Sequence, residues 1–142
     1  NQLTIFDPRL PHGVKEVRGT RDPLQGRLVV HGWFVEPRPF AEGALAGKAS
    51  LVPALDEALR PIAEALGQFP ALQGLASIRV SVNAAGKTGK QELLAHTLVD
   101  ADRPRDAGTA REALRTIAEG IHAARFPKSA GTSRITIPFL FR

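Results

Sequence analysis

Ile78, Val80 and Val82 alternate with Arg79, Ser81 and Asn83. Successive strand side chains point to opposite faces, so this run predicts a strand with one apolar face and one solvated face. The stretch AAGKTGK (84–90) follows as a glycine-containing turn, and QELLAHTLVD (91–100) returns as the partner strand of a hairpin. The hairpin turn contains Gly-Lys-Thr, but Ser81 stands where a phosphate-binding loop needs its first glycine, four intervening residues before Gly86. A strand follows the turn where such a loop would lead into a helix, so the phosphate-binding-loop motif is rejected.

Helical spacing flanks the hairpin on both sides. Leu51, Leu55, Leu59, Ile62 and Leu66 recur on one face, with Ser50 placed to cap the start. Pro61 interrupts that pattern and predicts a kink or two short helices. Thr109 and Glu112 have capping-box spacing and open a helix through Ile121, whose stripe is Ala113, Leu114, Ile117 and Ile121. Ile135, Ile137, Phe139 and Phe141 then alternate in a last strand, where Pro138 predicts an edge position. Residues 50–142 therefore read as an α+β domain of helix, strand, strand, helix, strand order, and 41–49 reads as a linker or loose turn before it.

Residues 1–40 have a different texture. Leu3–Phe6 is a short β-prone run stopped by Asp7-Pro8, and Arg27–Val35 is a longer one stopped by Glu36-Pro37-Arg38-Pro39. Gly19, Asp22-Pro23 and Gly26 mark a loop between them. Apart from Arg27 and His31 the second run is apolar on both faces, as in a barrel or sandwich strand. If Arg27 faces inward, Val29, His31 and Trp33 share its face.

Composition narrows the function classes. The chain of 142 residues has no cysteine, which excludes disulfides, thiolate nucleophiles and cysteine-ligated metals. The net charge of +5 invites a nucleic-acid reading, but 19 basic residues are dispersed among 14 acidic ones. With seven Phe, one Trp and no Tyr there is no stacking platform within a basic stripe, so no nucleic-acid partner is expected. No apolar run reaches the roughly 20 residues of a membrane span. His96, in a probable strand, and His122, near a helix end, stand alone and read as structural.

Residues 3–35 resemble the C-terminal part of the catalytic barrel in 2-oxoglutarate/Fe(II)-dependent oxygenases of the prolyl-hydroxylase-like branch. The elements that carry the resemblance are Phe6, His12-Gly13-Val14, Val17-Arg18-Gly19, Gly26-Arg27 and Gly32-Trp33-Phe34. It implies partial double-stranded β-helix (jelly-roll) strands in a first domain, residues 1–40, with His12 as an Fe(II) ligand. Arg27 would anchor the 2-oxoglutarate cosubstrate, while His31 and Trp33 would line the same cavity. Iron in these enzymes is held by two histidines and a carboxylate on one face, and a guanidinium grips a carboxylate bidentately. The implied reaction is hydroxylation of a small-molecule or peptidyl substrate coupled to 2-oxoglutarate decarboxylation, in the cytoplasm. Two departures accompany the match. Val29 stands where the family commonly has Ser or Thr, and the His-x-Asp that supplies the other two iron ligands is absent from this chain.

Residues 50–142 resemble the C-terminal domains of TonB-like and gliding-motility-associated proteins, through Gly86, Phe126-Pro127 and Pro138-Phe139-Phe141. This second resemblance implies a domain that binds a protein partner, often by lending an edge strand, in a bacterial periplasm. The expectation is an oxygenase portion fused to an interaction domain. The alternative is a non-enzymatic, TonB-C-like interaction protein whose first 40 residues brace its sheet.

Overall fold

The computed structural model describes residues 9–11, 13, 19, 22, 24 and 36–142. The chain divides into two units, Asn1–Val35 and Glu36–Arg142, and the strands and α-helices given below, those of the described residues, belong to the second. The order is β1 (Phe40–Gly43), α1 (Leu51–Leu66), β2 (Leu72–Val82), β3 (Thr88–His96), β4 (Val99–Asp100), α2 (Gly108–Ala123) and β5 (Ser133–Phe141). The antiparallel sheet runs β1-β5-β2-β3, and β4 pairs with the start of β2. The expected α+β order of residues 50–142 is present, with β4 as an addition. The jelly-roll strands expected in residues 1–40 lie outside the described residues, except that Phe40 begins β1.

The alternation that predicted a half-buried strand decides which face is covered. Leu72, Ala76, Ile78, Val80 and Val82 of β2 are buried, while Ser77, Arg79 and Ser81 between them are only half-buried. Ile135 and Ile137 of β5 continue that face. Above it sit Leu51, Leu55, Ala58 and Ile62 of α1 and Ala110, Ala113, Ile117 and Ile121 of α2, all in one apolar cluster. Each large aliphatic side chain in such a core contributes about 1.5–3 kcal/mol by leaving water. Among the described residues, no buried side-chain nitrogen or oxygen lacks a partner.

Five local expectations need correction, the first being Ser50, which makes no side-chain cap bond at the start of α1. Residues 41–49 are not simply a linker, because Phe40–Gly43 pairs with Ser133–Thr136 as a sheet edge. β5 is consequently an interior strand. Pro138 is tolerated because β1 reaches only to Thr136, leaving the proline on a stretch paired with β2 alone. Leu51–Leu66 is one helix through Pro61 and not two short ones. The proline lies on the solvent side, where water can satisfy the carbonyl of exposed Glu57 four residues earlier. Finally, α2 starts at Gly108 without a side-chain cap. The Gly108 amide donates to Asp106 Oδ1 (2.7 Å), and the Thr109 hydroxyl donates to Asp100 Oδ2 (2.7 Å) instead of capping.

Candidate functional site: the outer edge of β3

The β2–β3 hairpin turns on Asn83, whose carbonyl accepts the Gly86 amide (2.9 Å) and whose side-chain oxygen accepts the Ala85 and Lys87 amides (3.0 Å each). The turn is closed by its own groups, and β3 leaves it instead of a helix. At the far end Thr97 grips β2 twice. Its amide donates to the Leu75 carbonyl (2.8 Å), and its hydroxyl accepts the Leu75 amide (3.1 Å). These two fixed ends set the hydrogen-bonding parity of the strand between them.

In an antiparallel pair, hydrogen-bonded and non-hydrogen-bonded positions alternate. Asn83 donates to the Lys87 carbonyl (3.0 Å), so the next pair, Val82 with Thr88, is non-hydrogen-bonded. Counting on through two irregularities, at Ser77/Ile78 and Val80/Val82, makes Val80–Gln91 and Ile78–Leu93 non-hydrogen-bonded as well. Counting back from Leu75–Thr97 gives the same assignment. The amide and carbonyl of Gln91 and Leu93 therefore point away from β2. Among the described residues no strand pairs with β3 on that side.

The side chains along this edge are poorly covered. Leu93 is 46% exposed, Leu94 39% and, just beyond on β4, Val99 45%. Edge strands are normally guarded by charges, proline, β-bulges or a covering element, and this one keeps two irregularities against β2. In Thr88–His96 there is no proline, and Lys90 and Glu92 are the only charges. Helix α2 supports the strand from one face. The Thr88 hydroxyl donates to the His122 carbonyl (3.0 Å), and Gln91 Nε2 donates to the Ala118 carbonyl (2.9 Å). These two contacts run α2 antiparallel to β3, with Leu93 past the last of them.

The other candidates are less provided for chemistry. A cleft of about 520 Å³ beside the start of α1 is lined by Ala44, Leu45, Lys48, Ser50, Lys128 and Ser129, among others. The Ser129 hydroxyl is already donated to the Gly131 carbonyl (2.8 Å). Asp100 is buried and ionised in its setting. Thr109 donates to it, as do the Asp102 and Arg103 amides, and the Arg103 guanidinium stands 3.2 Å away. These contacts, the Thr109 bond foremost, hold its carboxyl below the ordinary carboxylate value. The set is complete in itself and braces the β4–α2 loop.

His12, Arg27, His31 and Trp33, the residues singled out by the oxygenase resemblance, lie outside the described residues. Of the remaining histidines, His96 is exposed on β3 and His122 is exposed in the last turn of α2. Among the described residues no group of three His, Cys, Asp or Glu could hold a metal ion. None of the helices there is long and apolar enough to cross a membrane.

No family model and no curated protein matches the chain. Among solved structures, the chain is similar to the solution structure of the TonB C-terminal domain from Helicobacter pylori. Identity is 20%, coverage is 70% of this chain and 94% of that one, and the TM-score is 0.40.

The β3 edge was not singled out from the sequence. QELLAHTLVD reads only as the partner strand of a hairpin, and the sheet ends at β3 with Leu93 and Leu94 exposed. A signal was nevertheless present: QELLAH carries two consecutive leucines, which strict alternation cannot bury on one face.

Proposed function

We propose that Glu36–Arg142 is a protein-interaction domain that takes up an extended segment of a partner as an additional strand along β3. The observation that carries this reading is the outward direction of the Gln91 and Leu93 backbone groups on an edge without proline. Main-chain hydrogen bonds to such an edge give affinity, and the side chains beside it select the segment. The exposed Leu93, beside Ile78 on the helix-covered face, and Val99, beside Gln73 on the other face, give the added strand apolar neighbours.

The test follows from the parity. Proline at an outward-pointing position removes a donor from the edge without removing a bond to β2. Leu93→Pro should leave the thermal unfolding midpoint close to that of Leu93→Thr, which keeps the amide. Peptides selected from a displayed library against the full chain should lose binding to the proline variant and keep it to the threonine variant. In the wild type, bound peptide should slow hydrogen exchange at Gln91 and Leu93. Selected peptides that bind both variants equally, or that protect amides elsewhere, would remove the β3 edge from consideration.

A further inference from the structure

The flank of α2 that borders the β3 edge carries one exposed guanidinium without an ion pair among the described residues, that of Arg111. The core stripe Ala110, Ala113, Ile117 and Ile121 and the Gln91–Ala118 and Thr88–His122 contacts together fix how the helix is turned about its axis. At 100° per residue, Ala118, Arg111 and His122 fall on the side next to β3, with Arg115 a little farther round. Because α2 runs antiparallel to β3, His122 borders the Thr88 end and Arg111 the end toward His96. Arg115 is engaged by Glu119 (3.0 Å) and Glu112 (3.9 Å), which lie on the solvent side of the helix. Arg111 is exposed and makes no ion pair among the described residues. No acidic side chain of α2 falls on this flank.

We infer that the segment added to β3 is acidic on its helix-facing side. This deepens the proposed function and rests on it. The backbone edge alone would accept a strand of any sequence. A strand alternates its side chains, so every second residue of the added segment would extend over the α2 flank. There an aspartate or glutamate meets Arg111 at one end of the edge, while a lysine or arginine meets a like charge that no neighbouring carboxylate offsets. The occupant is thus an extended stretch of another protein with carboxylates at alternate positions and apolar residues between them.

Three synthetic nine-residue peptides test this: one alternating valine with glutamate, one valine with glutamine and one valine with lysine. Their binding to the full 142-residue chain is measured by fluorescence anisotropy at low and at physiological salt. Amide exchange at Gln91 and Leu93 reports whether they sit on β3. The glutamate peptide should bind about fivefold or more tighter than the glutamine peptide, with the preference falling as salt rises. Arg111→Glu should abolish that preference and favour the lysine peptide, while circular dichroism and the unfolding midpoint stay unchanged. If all three peptides protect Gln91 and Leu93 with equal affinity, the edge reading stands and the acidic preference falls. An acidic preference that survives Arg111→Glu also overturns the inference. If none of the three protects those amides, both readings fall.

Discussion

Gly120 of α2 and Ile62 of α1 meet without room for a methyl group. A Cβ on Gly120 would lie 2.4 Å from Ile62 Cγ1 and 2.9 Å from its Cδ1. Ile62 is only 2% exposed and β-branched, so it has nowhere to turn. An alanine at an unconstrained helix position would gain about 1 kcal/mol over glycine. Here the overlap reverses the sign, and Gly120→Ala should destabilise by about 1–2 kcal/mol. Ile62→Ala alone should lose about 2–4 kcal/mol through the cavity it opens. The double variant should be no less stable than Ile62→Ala, since the new methyl group enters that cavity. Urea unfolding of the four proteins gives the coupling directly, and additive losses would mean the two residues do not share this contact.

Gly86 stands under a different constraint. Its φ of +78° suits glycine, its carbonyl accepts the Phe126 amide (2.9 Å), and a Cβ there would lie 1.9 Å from the Phe126 carbonyl oxygen. Phe126 is itself buried, so the backbone cannot retreat. Gly86→Ala should therefore lose about 2–4 kcal/mol, combining left-handed strain with a broken tie. Gly47 is the control. It has a φ of +66° with nothing within 4 Å of its Cβ position, and its replacement by alanine should lose only about 1–2 kcal/mol of strain. Equal losses at the two sites would show that the Phe126 contact contributes nothing.

What could be read from the residues follows how local each signal is. The β2–β3 hairpin was legible because its alternation and its turn lie within one short stretch. Both helices were legible from the spacing of Leu51, Leu55 and Ile62 and of Ala113, Ile117 and Ile121. β1 was not: Phe40–Gly43 is four residues with no alternation of its own, held by pairing with Ser133–Thr136 across ninety residues of chain. The interior position of β5 was hidden for the same reason, since Pro138 is an edge signal that only the short reach of β1 reconciles. QELLAHTLVD read as one strand, but Thr97 turns inward to Leu75 and splits it into β3 and β4. The candidate site is a property of where the sheet stops, which no local pattern records.

Asp100 gives the domain a predictable response to acid. Its carboxylate accepts the Thr109 hydroxyl, two backbone amides and the Arg103 guanidinium, and these lower its titration below 3.8. A lowered value means the folded state prefers the ionised form. The stabilisation is therefore complete above the unfolded value and is lost as pH falls through the folded one. Asp100→Asn should lower the unfolding midpoint at neutral pH, and its gap from the wild type should narrow on acidification. Thr109→Val, which removes the first of the four donors, should flatten the same acid limb. Thermal melts from neutral pH downward decide the matter. A gap that stays constant with pH would mean the charge of Asp100 is not what holds the loop.

Pro61 offers a gain where the other sites offer losses. Within the unbroken α1 it supplies no amide to the Glu57 carbonyl, and its ring crowds the preceding turn. Replacing it with alanine restores a donor and a strong helix former, worth up to about 3 kcal/mol in an exposed helix interior. Freeing the unfolded chain from the proline ring offsets up to about 1 kcal/mol of this. Pro61→Ala should thus raise stability by about 1–2 kcal/mol, moving the urea midpoint upward at unchanged slope. Pro53 lies in the first turn, where an amide has no intrahelical acceptor, so Pro53→Ala should change stability far less. If Pro61→Ala instead weakens the domain, α1 depends on a bend at that position that alanine does not supply.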